Sequence, residues 1–241
     1  MKIGPQPSGL LTRRKILSAS AKAFLENGYV GTSSKLVAQL AGVTNGSPFY
    51  LYGNKEGVLL ELVKQMFGYQ FDAAEELLGA DADPLMLYAA ETALQMCIAE
   101  ISAPLRELYV TAYTLPSTSA FIYESMARKL QLLFAAYQPG AAQQDFYELE
   151  LAAAGVMRSY MVTPCSKQFP FERKLRRFFT CCYRIYGVPE ELYQPVIERV
   201  VRMNMTPLAE AAIARAVHQA EESYETAMTD AMRAKVLQGN G

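Results

Sequence analysis

Residues 33–57, SSKLVAQLAGVTNGSPFYLYGNKEG, have the spacing of two short helices joined by a glycine turn. Ser33 or Ser34 is placed to cap the first helix, because a serine hydroxyl accepts a backbone N–H that the opening turn leaves unpaired. Leu36, Val37, Leu40 and Ala41 then recur at helical spacing, and the small residues from Ala38 to Gly42 let a second helix approach closely. Gly42 is positioned to stop the first helix, and Thr44 to cap a second that carries Asn45, Gly46, Ser47, Tyr50 and Tyr52 among the apolar Phe49 and Leu51. If exposed, that helix suits a DNA groove, with Asn45, Ser47 and Tyr50 projecting and Phe49 anchoring it.

Upstream, Ile16, Leu17, Ser20, Ala21, Phe24 and Leu25 form a stripe at three- and four-residue spacing, ended by Asn27-Gly28. Three helices then share one small core. With these residues in view, positions 13–63 resemble the N-terminal domain of the TetR (tetracycline-repressor-like) family of bacterial transcription regulators. The resemblance rests on Arg13-Arg14-Lys15, Ala23-Phe24, Gly28-Tyr29, Thr32-Ser33, Ala38, Ala41-Gly42-Val43, Gly46, Phe49-Tyr50 and Lys55-Glu56 leading into Leu59. It departs from the family pattern in the second helix, where Pro48-Phe49 replaces an aliphatic residue followed by Tyr, and Leu51 stands where His or Tyr is common. Pro48 has no N–H and a fixed φ, so it belongs in a first turn. Either Thr44 caps and Pro48 sits at the edge of that turn, or Ser47 caps and Pro48 is the first helical residue. Gly46 and Ser47 are compatible with helix, which favours Thr44.

The resemblance implies an all-α chain in two parts: a three-helix DNA-binding domain over 1–54 and a helical effector-binding and dimerisation domain over 55–241. The expected DNA-binding residues are Ser33, Ser34, Lys35, Thr44, Asn45, Gly46, Ser47, Phe49, Tyr50 and Lys55. Charge is distributed accordingly. Residues 1–64 hold eight Lys or Arg against three Glu, a net of +5, which leaves −6 for the rest of a chain whose total is −1. A basic head on an acidic body fits phosphate binding at one end, and Lys35 and Lys55 fall at the two edges of the motif. The alternative is an ordinary solvated face.

Beyond Lys55 helix follows helix, with breaks at Pro84, Pro104, Pro116, Pro139-Gly140, Pro164, Pro170, Gly187-Val188-Pro189 and Pro207. The expected spans are 55–79, 84–102, 104–114, 117–137, 143–163, 170–186, 189–204 and an Ala-rich 207–237. The region around 105–134 and 157–160, with Met96, gives the candidate ligand-binding residues Met96, Tyr109, Tyr113, Phe121, Tyr123, Phe134, Met157 and Tyr160. Such a lining suits a small, largely apolar effector, against the alternative of plain core packing. Helices 143–163 and 170–186 offer apolar faces, Phe146, Leu149, Ala153, Met157 and Tyr160 on one and Phe171, Leu175, Phe178, Phe179 and Cys182 on the other, for a homodimer. Five basic residues between Arg173 and Arg184 read as a solvated face, against the alternative of a nucleic-acid patch.

Catalysis finds little support. His218 is the single histidine, so His-based metal sites, triads and dyads would all run through one residue. No catalytic residue, metal or cofactor is expected. Cys97, Cys165, Cys181 and Cys182 show no CxxC spacing and read as free thiols. The N-terminus MKIGPQPSGLL lacks a targeting pattern and no run of eighteen apolar residues occurs, so a soluble, cytoplasmic chain without membrane association is expected. The expected function is a ligand-responsive transcriptional regulator, more often a repressor in this family, that binds a double-stranded DNA operator and a small-molecule effector as a homodimer. Its rivals are a helical interaction or carrier module that no longer binds DNA, and a carboxylate-based helical-bundle enzyme.

Overall fold

The computed structural model describes residues 7–44, 48–79, 81–215 and 218, and among them every regular element is helical. The chain opens with α1 (Pro7–Gly31) and α2 (Ser34–Ala41), continues through a 3-10 turn over Pro48–Tyr52, and enters the long α3 (Lys55–Leu78). Ser33 is the cap of α2, its Oγ accepting from Leu36 N at 3.2 Å, and Gly42 ends the helix in the left-handed region at φ 60°. Asn54 caps α3 in the same manner, accepting from Gly57 N at 2.8 Å. Ile16, Leu17, Phe24, Val37, Ala41 and Phe49 close a small core that Val58 and Leu59 of α3 complete. Leu40, expected to share that core, is 49% exposed, because the contact face of this short helix is set by Val37, Ala38 and Ala41.

The second helix of the motif also departs from expectation. Within the described residues it is a 3-10 turn beginning at Pro48, which is the place a proline tolerates, and Gly53 at φ 82° follows the turn. Asn45, Gly46 and Ser47 lie outside the described residues.

The body consists of α4 (Pro84–Ile101), α5 (Ala103–Ala112), α6 (Pro116–Phe134), α7 (Gln143–Val162), α8 (Phe171–Ile185) and α9 (Glu190–Val200), followed by helical residues 206–215. Asp83 starts α4 by accepting from Leu85 N at 2.7 Å, with Pro84 in its first turn. Thereafter α4 is buried on all sides, enclosed by α3, α5, α6, α7 and α9. Helix 207–237 was expected to run further, and its remainder lies outside the described residues. No helix among the described residues is long and apolar enough to cross a membrane.

Two expectations for the body are corrected. Phe146, Ala153 and Met157 of α7 and Leu175, Phe178, Phe179 and Cys182 of α8 are buried within this one chain, so these faces build its own core and are not free for a second copy. Lys174 is not part of a solvated basic face: it is 1% exposed and its ammonium is held by Glu100 and by the carbonyl of Thr163. Arg176 and Arg184 are tied to Glu172, Glu198 and Glu190. The four cysteines are unbridged, with Cys97 and Cys182 buried and Cys181 exposed.

Head and body meet along α1 and α5. At Gly28 the backbone of α1 turns out of helical geometry, with φ 71°, and Val30 N donates to Glu107 Oε1 at 2.7 Å. A Cβ on Gly28 would lie 2.4 Å from Glu107 Oε2, and its φ already penalises a side chain. Gly28→Ala is therefore expected to destabilise the protein by more than about 1 kcal/mol. Gly68→Ala, in open space on α3, is expected to stabilise it by about 0.5–1 kcal/mol. Urea unfolding of the two variants checks both signs.

Candidate nucleic-acid interface and effector cavity

The outer face of the head presents Ser33, Lys35, Thr44 and Tyr50 to solvent, with Ser34 half-buried. Tyr50 is 81% exposed while its neighbour Phe49 is buried in the head core, a division imposed by the turn that starts at Pro48. Exposed Leu51 stands beside Tyr50. Tyr52 points back, donating from Oη to the carbonyl of Arg13 at 2.8 Å, with the Arg13 guanidinium 4.5 Å above its ring. Burial pushes the Tyr52 phenol up to about 12, against the opposing influence of Arg13.

Lys55 differs from the free edge cation expected from its position. Its ammonium donates to the carbonyl of Tyr29 and lies 4.3 Å from the Tyr29 ring centre. Desolvation lowers its pKa, with Glu107 acting in the opposite sense. The side chain thus joins the start of α3 to the end of α1. Lys35 remains the exposed cation at the edge of α2.

A cleft, partly open to solvent, lies between head and body. Phe24 and Leu25 of α1, Leu59, Val63 and Phe67 of α3, and Leu108, Tyr109 and Tyr113 from α5 and its end form most of its wall. Phe24, Leu59 and Leu108 are at the same time core residues of the head. A smaller and tighter pocket adjoins it, lined by Tyr88, Glu91, Met126, Glu150, Met157 and Phe178 among others. Gln95 and Tyr113 line both spaces, and Tyr113 Oη donates to Gln95 Oε1 at 3.1 Å across their boundary.

Of the candidate lining residues, Tyr109, Tyr113 and Met157 reach these spaces. Met96 and Phe134 are packed in the body core, the latter stacked on Tyr186 with ring centres 4.5 Å apart. Phe121 packs edge-on against Phe67, Tyr123 donates from Oη to the Tyr113 carbonyl at 3.3 Å, and Tyr160 packs on Phe169 and Phe178. These five brace the walls from behind, because aromatic residues at helical spacing fill space between helices before they line a void.

The polar residues of the small pocket were missed in the sequence. Glu91 is 1% and Glu150 4% exposed. Desolvation raises the Glu91 carboxyl to about 7, against hydrogen bonds from Gln95 and Thr92 that lower it. Desolvation raises Glu150 to about 8, offset by a hydrogen bond from Tyr186 and reinforced by repulsion from Glu91. A signal was present: Glu91 is the lone charge in the run PLMLYAAETALQMCIA, and Glu150 lies four residues beyond buried Phe146 and seven before buried Met157.

The family described as bacterial regulatory proteins, tetR family, matches residues 16–62. The HTH-type transcriptional regulator LmrA of Bacillus subtilis (strain 168) is 30% identical over 147 residues, 49% of this chain and 72% of the relative. The Fatty acid metabolism regulator protein of the same organism is 32% identical over 62 residues, 26% of this chain and 32% of the relative. Among solved structures, SmeT, the repressor of the Stenotrophomonas maltophilia multidrug efflux pump SmeDEF, shares the fold with a TM-score of 0.54 at 18% identity. The match covers 76% of this chain and 93% of SmeT.

The buried carboxyls set a pH dependence of stability. Their folded-state pKa values of about 7 and about 8 exceed the ordinary 4.5, so the folded chain holds more protons than the unfolded chain in between. The cost is absent below the ordinary value, grows as pH rises, and is complete above the folded values, reaching on the order of a few kcal/mol. Calorimetry at about pH 5.5 and about pH 9 should show a fall in Tm for wild type that is much smaller in the Glu91→Gln, Glu150→Gln double variant. Equal falls in both proteins would refute the assignment.

Proposed function

Because this chain belongs to the tetR family of bacterial regulatory proteins, we propose that it is a ligand-responsive DNA-binding repressor, released from its operator when a small, largely apolar effector enters the cleft between head and body. It acts by binding and not by catalysis. The observation that carries this reading is the shared wall: Phe24, Leu59 and Leu108 line the cleft and also form the head core. An effector that fits one arrangement of these side chains better than another shifts the equilibrium between head positions, and its effect cannot exceed that difference in affinity.

We assign DNA binding to the head over 1–54, with Tyr50 and Lys35 as its principal described contacts, and effector binding and self-association to 55–241. The protein works in the cytoplasm as a homodimer, and in its DNA-competent state the two heads meet successive major grooves about 34–36 Å apart on an approximately palindromic site. SmeT, named as the repressor of an efflux pump, and LmrA, named as a transcriptional regulator, agree with this class of activity. With the inner faces of α7 and α8 committed to the core, self-association falls to outward residues such as Leu151 and Val162 of α7.

Selection of bound fragments from genomic DNA supplies the operator, and titrations on that duplex test the contacts. Lys35→Ala is expected to weaken binding to all sequences and to lower the salt slope by about one. Tyr50→Ala is expected to reduce discrimination among single-base operator variants by about 1–3 kcal/mol. Lys55→Ala, in contrast, should lower the thermal stability of the head. Duplex binding that is insensitive to salt and indifferent to sequence in the wild type would sink the reading.

A further inference from the structure

The small pocket beside the cleft holds two carboxyl groups that take part in no ion pair among the described residues. Glu91 stands in the middle of α4 and Glu150 on α7, and both side chains line the cavity. Glu91 accepts from Gln95 Nε2 and, at 3.3 Å, from Thr92 Oγ1. Glu150 accepts at Oε2 from Tyr186 Oη at 3.2 Å, and its Oε1 has no hydrogen-bond partner among the described residues. None of the ion pairs among the described residues reaches either carboxylate. Lys129, the cation that acts on Glu91 from α6, lies 4.7 Å from the ring centre of Phe71.

An ionised carboxylate in a buried site is costly unless a cation accompanies it. On their own the two groups avoid that cost by holding protons, and an anion entering the site would meet their repulsion as soon as either ionised. A cation reverses the balance, since it supplies the missing charge and meets the aromatic side chains of Tyr88, Tyr113 and Phe178. The space next door is of the opposite character, walled by Leu59, Leu62, Val63 and Phe67. The Tyr113–Gln95 hydrogen bond stands across the boundary.

We propose that the effector is an amphiphilic organic cation, its quaternary or protonated nitrogen seated at Glu91 and Glu150 and its apolar portion lying in the cleft against the head. This inference rests on the effector reading above and narrows its ligand class. Tyr113 and Gln95 separate when such a ligand joins the two spaces.

The test uses the full-length protein and a pair of probes equal in shape, phenyltrimethylammonium and its uncharged carbon analogue tert-butylbenzene, titrated calorimetrically at about pH 8.5. The cation should bind the wild type at least about tenfold more tightly than the neutral analogue. Glu91→Gln and Glu150→Gln should each remove most of that preference while leaving tert-butylbenzene affinity within about twofold. Equal or tighter binding of the neutral probe to wild type, no binding of the cation, or an undiminished preference in both variants overturns the proposal. Operator binding measured in the same samples separates the two readings. Release by tert-butylbenzene alone leaves the repressor mechanism standing and the cation site refuted. Glutamate-dependent cation binding that leaves operator affinity unchanged establishes the site and refutes its role as the effector switch.

Discussion

Residues Glu107 and Leu108, adjacent on α5, hold the head to the body by two different forces. Glu107 accepts the Val30 N–H at 2.7 Å where α1 breaks at Gly28, and Leu108 enters the apolar core that α1, α2 and α3 enclose. A second carboxylate works in the reverse direction. Glu56, in the first turn of α3, accepts the Ser117 N–H at 2.6 Å, close to the N-terminus of α6, where unpaired donors and the helix dipole favour a negative group. The head is therefore anchored at the end of α1 and again at the start of α3. A displacement of α5 reaches the first anchor and one of α6 the second, through hydrogen bonds and packed side chains.

Burial on opposite sides of this joint follows different rules. The head is small, and its core is assembled from a few large groups around Phe24 and Phe49. In the body, α4 is surrounded, and Tyr88 on it makes edge-on contacts with Phe134, Tyr183 and Tyr186. Those rings fix the helix firmly, so the carboxyl of Glu91, on the following turn, is carried into the interior whether or not a partner awaits it. Its nearest support, Gln95, is one turn further along the same helix. This is a site made by the rigidity of its scaffold.

Helix bounds were largely legible in the sequence because their signals are local: Ser33, Asn54 and Asp83 each cap a helix with their own side chain, and Pro84, Pro104 and Pro116 fall in first turns. The basic head could be read for the same reason. Direction was harder. Leu40 and Val37 share one helical pattern, yet only Val37 meets the core, since an eight-residue helix turns a narrow strip inward. Lys55 reads as a phosphate contact and Lys174 as part of a solvated face, and the two are instead turned to Tyr29 and Glu100, far away in sequence. The cavity was legible only in outline. Tyr109, Tyr113 and Met157 reach it, but which aromatic residues border a void depends on how α3, α5 and α7 are spaced, and no single segment encodes that distance. Glu91 and Glu150 were not legible as neighbours because they lie on α4 and α7, and a lone charge in an apolar helix does not encode what stands across from it.

The double membership of Phe24, Leu59 and Leu108 divides the cavity into two economies of change. A substitution at any of the three alters ligand fit and head stability together, so variants that tune recognition there arrive with a folding defect. The pocket around Glu91, Met126, Glu150 and Met157 borders no head residue, and its side chains are replaceable at the expense of the body alone. New chemical selectivity is thus most accessible at the deep end of the cavity, whereas the end facing the head is constrained to remain greasy and of nearly fixed shape.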